Sequence, residues 1–292
     1  MPEPDRLRWH EDLPAFRDLL GLTAAETGFL VRLVEKDYFC SVILQYLAGA
    51  CPDLVFKGGT CLAKVHTAFH RLSEGLDFTL PVPSAAPRSA RSRLARDLKA
   101  AMADLDRRVS GLRTLVPLRG ANNSTQYDAT VAYAGVAGSE ETIKIEVGLR
   151  EPLLMPAVRG EAMTLLLGPD RGRPIAPPLP LLCLSYPEAM AEKFRAALSR
   201  REPAIRDFYD VDHAAHRRGF AWDEPRFLAL VREKLDVPGN PAVEVTPARL
   251  AALRSQRETA LKPVLRAADL GAFDLDRAFG TVSTVAAAMG SA

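Results

Sequence analysis

Phe56-Lys57-Gly58-Gly59-Thr60-Cys61-Leu62, followed one helix length later by Arg71-Leu72-Ser73-Glu74-Gly75-Leu76-Asp77-Phe78, decides the reading of this chain. The run before it, Asp53-Leu54-Val55-Phe56, reads as a short buried strand stopped by two glycines. A helix can restart at Thr60 and run to about His70. Glycines let the backbone turn sharply and approach a ligand closely. The free N–H groups of the following helix start, with the Thr60 hydroxyl as a further donor, suit a phosphate. A second strand over residues 76–80 then delivers Asp77, with Glu74 nearby. A carboxylate on a strand beside a phosphate cradle is one way to place Mg²⁺ on a triphosphate. Gly-Gly-Thr after a strand is usually only a turn. It is the order strand, Gly-Gly-Thr, helix, Asp-bearing strand that narrows the reading.

Upstream, Phe29, Leu30, Leu33, Val34, Tyr38, Val42, Ile43, Tyr46 and Leu47 recur mostly at three- and four-residue steps, the stripe of an amphipathic helix. Thr23 and Glu26 have capping-box spacing and place its start. Downstream, Pro81, Pro83 and Pro87 mark a loop, and residues 90–109 form a helix rich in Arg, Leu and Ala. Strands are expected over residues 112–118, 127–134 and 142–149, with a further one over 162–167. In the third, Ile143, Ile145 and Val147 alternate with Lys144, Glu146 and Gly148, so one face is apolar and the other polar. Residues 168–180 are dense in proline and glycine and read as a linker or crossing loop. Helices follow over 187–200, 204–217, 224–235, 247–261 and 270–288. The expected architecture is α/β, a mixed sheet flanked by helices over residues 1–180, then a helical C-terminal region over 181–292.

With 292 residues and 48% hydrophobic content, the chain can bury a substantial core. Its 38 basic and 36 acidic residues leave a net charge of +2, so no global field advertises a polyanionic partner. The four cysteines, Cys40, Cys51, Cys61 and Cys183, contain no C-x-x-C pair, which argues against a zinc site or disulfide framework and suits a reducing cytosol. The acidic start Met1-Pro2-Glu3-Pro4-Asp5 is not a signal peptide, and no apolar run approaches the roughly 20 residues that span a bilayer. A cytoplasmic protein without membrane contact is expected.

The stretch from Phe56 to Lys64, with Arg71-Leu72-Ser73-Glu74 and Leu76-Asp77-Phe78, resembles the first signature of the AbiEii/AbiGii toxin family, within the DNA polymerase β-like nucleotidyltransferase superfamily. Val34-Glu35-Lys36-Asp37-Tyr38 resembles the family's preceding helix. Ala191-Glu192-Lys193-Phe194 and Arg206-Asp207-Phe208-Tyr209-Asp210 resemble its later motifs, so the likeness spans about residues 25–215. It implies a nucleotidyltransferase fold whose helical C-terminal region completes the active site. It also implies transfer of a nucleoside monophosphate from an NTP, a two-metal Mg²⁺ site, a cognate antitoxin partner, and tRNA or another RNA as acceptor. In that scheme Asp77 and Glu146 hold metal and act in catalysis with Lys193 and Asp210. Lys57, Gly58, Gly59, Thr60, Ser73 and Lys193 meet the nucleotide, and Arg71 and Asp207 have secondary places. The chain departs from the family at Gly75, where the first acid of Asp-x-Asp is expected. Paired cations about 3.5–4 Å apart need bridging anionic oxygens, so glycine there weakens the metal site.

Each assignment has a plainer counterpart. Glu146 can be a solvated strand residue paired with Lys144, Lys193 a solvated helix lysine, and Asp207 and Asp210 surface ion-pair acids. The Arg-rich stretches 88–96, 195–206 and 217–218 can meet an RNA backbone or simply face water. His66, His70 and Glu74 follow at four-residue steps, a spacing that suits a metal, but no H-E-x-x-H occurs. His213 and His216 read as helix surface. The glycine pair lacks the spacing and Lys-Ser/Thr ending of a P-loop, and there is no Gly-x-Ser-x-Gly elbow. Two other classes remain open: a catalytically inactive nucleotide- or antitoxin-binding descendant, and an interaction protein of the same fold.

Overall fold

The computed structural model describes residues 7–83, 86–169 and 172–290. The first six residues, residues 84–85 of the proline loop and residues 170–171 of the expected linker lie outside the described residues. The chain divides into two compact units, Met1–Leu184 and Ser185–Ala292.

The first unit opens with α1 (Leu13–Thr27) and α2 (Val31–Ala50). Thr23 belongs to α1 and is fully buried, so the expected capping box does not form. Its hydroxyl instead accepts from the Leu167 N–H at 2.9 Å. Gly28, at φ +75°, ends α1, and Leu30 starts α2 without a side-chain cap. Next come β1 (Val55–Lys57), the single turn α3 (Gly58–Cys61), which widens into a π-helix over Leu62–His66, and β2 (Gly75–Thr79). The helix therefore stops short of His70, at Ala68 and Phe69, both of positive φ. The Arg-rich helix is broken at Ala95 into α4 (Arg88–Leu94) and α5 (Arg96–Arg108).

Three strands appear where alternation placed them: β3 (Leu112–Ala121), β4 (Gln126–Ala134) and β5 (Glu140–Gly148). The next, β6 (Val158–Ala162), precedes residues 162–167, and β7 (Leu179–Cys183) emerges from the end of the expected linker. All seven strands make one mixed sheet in the order β3-β4-β5-β2-β1-β7-β6. β2 runs parallel to β5 and β1 parallel to β7. Apolar residues of α1, α2 and α5 pack on one face of it, where Phe39 stacks on Tyr133 at 4.0 Å.

Three consecutive charged residues of α2, Glu35, Lys36 and Asp37, are buried, and each has a partner. Glu35 accepts from the Val136 N–H at 2.8 Å, and Lys36 pairs with Glu74 at 3.1 Å. Asp37 pairs with fully buried Lys64 at 2.7 Å and accepts from the Leu165 N–H at 3.1 Å. Buried charges persist only with such compensation. α2 is thereby tied to the loop before β2 and to the π-helix after β1.

The second unit is helical: α6 (Tyr186–Ser199), α7 (Ile205–Asp212) continuing as a π-helix to Arg217, α8 (Pro225–Leu235), α9 (Pro247–Ser255), α10 (Ala267–Ala272) and α11 (Leu275–Gly290). Ser185 caps α6 by accepting from the Glu188 N–H. Arg249 donates to the carbonyls of Ala197 and Arg200, satisfying orphan acceptors at the end of α6. Buried Lys234 pairs with Glu188 at 2.7 Å, and Arg277 grips Asp212 through two bonds of 2.7 Å.

Candidate active site

β1 delivers Lys57 to the edge of a sharp turn, where Gly58 takes φ +75°. A Cβ at position 58 would lie 2.1 Å from an Asp77 carboxylate oxygen, and one at position 59 would lie 2.8 Å from Arg71 Nη2 and 3.0 Å from Ser73 Oγ. Each glycine therefore makes room for a candidate site residue. Arg71 is buried and donates to the Leu72 carbonyl at 3.0 Å, which fixes its cation beside the turn. Thr60 is buried, and its hydroxyl donates to the Gly75 carbonyl, so its proton braces α3 against β2.

Strand register places the acids. Lys57 of β1 lies opposite Asp77 of β2, Asp77 opposite Glu146 of β5, and Glu146 opposite Asp128 of β4. Because side chains alternate along a strand, this whole row projects from one face. The residues between, Leu76, Phe78, Ile145, Val147, Tyr127 and Ala129, are buried on the opposite face. Asp128 had no signal in its own strand; only its partnership with Glu146 reveals it. Gln126 donates to both Asp128 oxygens, at 3.0 and 3.1 Å. Lys144 pairs with Glu146 at 2.8 Å, and this hydrogen bond, against partial burial, raises the lysine above its ordinary value. Like charges opposite one another destabilise a sheet, so acids on adjacent strands attract a cation.

Position 75 faces the same way as Asp77, one pleat earlier, opposite Lys144. A Cβ there would approach only the Lys144 carbonyl, at 3.3 Å. Glu74 turns away to Arg32 and Lys36, at 3.2 and 3.1 Å. His66 donates Nε2–H to the Leu184 carbonyl at 2.9 Å, while His70 meets Thr67 at 2.6 Å.

In the helical unit, Lys193 lies between two acids of α7, 2.9 Å from Asp207 and 3.0 Å from Asp210. Arg200 also reaches Asp207, at 3.2 Å. Both aspartates are buried, not surface acids, so the three α6 and α7 residues singled out in the sequence form one charge cluster. Arg206 donates to the Ala260 carbonyl at 3.1 Å. Among the described residues, no helix is long and apolar enough to cross a membrane.

A family model described as nucleotidyl transferase AbiEii toxin of a type IV toxin–antitoxin system matches residues 43–282. No curated protein matches the sequence. Among solved structures, the chain is similar to MenT4, a nucleotidyltransferase toxin from Mycobacterium tuberculosis H37Rv, at 18% identity and a TM-score of 0.50. That match covers 92% of this chain and 98% of the other. At such identity the likeness speaks for the fold, a mixed seven-stranded sheet with flanking helices.

Proposed function

The chain belongs to the AbiEii family of nucleotidyltransferase toxins of type IV toxin–antitoxin systems, and from that membership we propose that it transfers a nucleoside monophosphate from an NTP to an acceptor hydroxyl, with Mg²⁺ and with a tRNA 3′ end as acceptor. The reading is carried by the register that sets Asp77, Glu146 and Asp128 in one row beside the Gly58-Gly59 turn. A set of carboxylate oxygens fits Mg²⁺, a hard cation that prefers oxygen ligands. Asp77 and Glu146 would hold it, with Asp128 next in the row. Bound there, Mg²⁺ supplies charge stabilisation for the reacting phosphate.

The chain's own residues do the rest. The turn at Gly58 and Gly59 offers backbone N–H groups to the phosphates without side-chain obstruction. Arg71, held beside Gly59, neutralises phosphate charge, and Ser73 and Lys57 orient the same group. Within the helical unit Asp207 and Asp210 set the position of Lys193, the cation that the family resemblance assigns to the charge on departing pyrophosphate. The Arg-rich faces carry the RNA backbone, and an antitoxin protein is the regulatory partner. The protein works in the cytoplasm.

Gly75 weakens this machinery by leaving one acid out of the metal site. The experiment compares the chain as it stands with Gly75→Asp, each incubated with Mg²⁺, α-labelled NTPs and total tRNA. The added Cβ meets only the Lys144 carbonyl, at 3.3 Å, a tight approach that a shift of a few tenths of an ångström relieves, so the variant is expected to fold. Transfer should rise at least ~10-fold, equivalent to about 1.4 kcal/mol of barrier. If neither protein labels RNA, transfer to tRNA is rejected. Retained NTP binding would then favour the second reading, a binding-only descendant, for which Gly75 is the specific observation.

A further inference from the structure

Apart from the acidic row, three soft ligands converge. Cys61 closes α3, His66 closes the π-helix, and Cys183 ends β7, where it pairs with Phe56 of β1. Their ligand atoms all lie within 4.8 Å of one another. We infer that Cys61, His66 and Cys183 form a binding site for a thiophilic divalent metal ion of the zinc class, separate from the carboxylates that would hold Mg²⁺.

The chemistry selects the ion. Two sulfurs and an imidazole suit Zn²⁺ and are poor ligands for Mg²⁺. His66 is already oriented as a metal-bound histidine usually is, with one ring N–H given to a backbone carbonyl, here Leu184 at 2.9 Å. Gly160 of β6 packs against Cys183, since a Cβ there would lie 2.6 Å from its sulfur. The remaining cysteines behave as inert core thiols: burial pushes Cys40 up to about 12 and Cys51 up to about 11. Cys183 instead shares hydrogen bonds with Cys61 and His66, the other two members of the cluster. The thiolate is the form that binds metal.

Sequence spacing hides this site because one ligand comes from a strand far along the chain, and no C-x-x-C is needed. A bound ion would join both ends of the segment that follows the glycine turn to β7. Its effect is therefore on the rigidity and stability of the first unit.

The full chain, stripped of metal by a chelator and kept reduced by a phosphine, is titrated with Co²⁺ and followed by absorption. The expected result is thiolate-to-cobalt charge-transfer bands that saturate at one equivalent per chain and are bleached by Zn²⁺. Excess Mg²⁺ should leave them unchanged. Cys61→Ser and Cys183→Ser should each abolish the bands, His66→Ala should weaken binding at least 10-fold, and Cys40→Ser and Cys51→Ser should keep them. Zn²⁺ should also raise the melting temperature of the unmutated chain but not of His66→Ala, a readout that survives if a cysteine variant fails to fold. Absence of the bands in reduced protein, or their persistence in Cys183→Ser, overturns the site. So does a Cys61–Cys183 disulfide in air-exposed protein whose reduced form shows no bands. None of these readouts depends on nucleotide transfer.

Discussion

The Asp77 carboxylate occupies the space that a side chain at Gly58 would need: a Cβ there would sit 2.1 Å from one of its oxygens. The turn and the candidate metal acid are thus one unit, and Gly58 serves both through its φ of +75° and its lack of a Cβ. Gly58→Ala is expected to cost about 1–2 kcal/mol for the left-handed backbone alone, with Asp77 displaced in addition. Urea unfolding should show the loss, and Mg²⁺-dependent transfer, measured in the Gly75→Asp background, should fall with it. An alanine variant as stable and as active as its parent would detach the glycine from the site.

Lys144 tests which role Glu146 has. Their ion pair is short at 2.8 Å, yet the side chains are 57% and 40% exposed. Exposed pairs contribute only about 0–1 kcal/mol, so Lys144→Ala should leave stability nearly unchanged. If Glu146 holds metal, removing its competing cation should shift the Mg²⁺ dependence of transfer to lower concentration. An unchanged Mg²⁺ profile would return Glu146 to the role of a solvated strand residue.

How much of this could be read in the sequence follows from where the information lies. The strand bearing Glu146 was legible because Ile143, Ile145 and Val147 alternate, a property of one strand by itself. Asp128 was not, because its place beside Glu146 exists only in the register between two strands. β7 was hidden by Pro180, which reads as loop. In the sheet Pro180 pairs only with Glu161 of β6, beyond the single position, Cys183, at which β7 meets β1. Thr23 and Glu26 satisfied the local pattern of a cap, but packing enclosed Thr23 within α1 and gave its hydroxyl to Leu167. Local periodicity was sufficient for most elements, whereas tertiary pairing decided the site.

Lys193 carries structural weight as well as its proposed phosphate role. Asp207 and Asp210 are both buried and lie within 3.0 Å of its Nζ. Replacing it leaves Asp210 without that cation, while Arg200 still covers Asp207. Removing one partner of a buried pair typically costs about 3–5 kcal/mol, so Lys193→Met should destabilise the protein by roughly that much, at the lower end. Lys193→Met with Asp210→Asn should recover part of the loss in a double-mutant cycle. A single-variant cost below ~1 kcal/mol would mean the cluster behaves as a surface pair.

Glu35 gives the fold a pH dependence of defined sign. Burial pushes its carboxyl above the usual carboxylate range, the Val136 N–H opposes the rise, and Glu141 adds to it. Between the ordinary value and the raised one, the folded chain keeps a proton that the unfolded chain has released. Folding then takes up a proton, and stability falls as pH rises through that window. Glu35→Gln keeps an oxygen to accept from Val136 and cannot ionise. Its stability relative to the unmutated chain should therefore improve as pH rises from about 4 toward neutrality, and the difference should close in acid. Urea midpoints at several pH values measure this directly. A gap that does not vary with pH would mean that Glu35 is not the group whose ionisation the fold opposes.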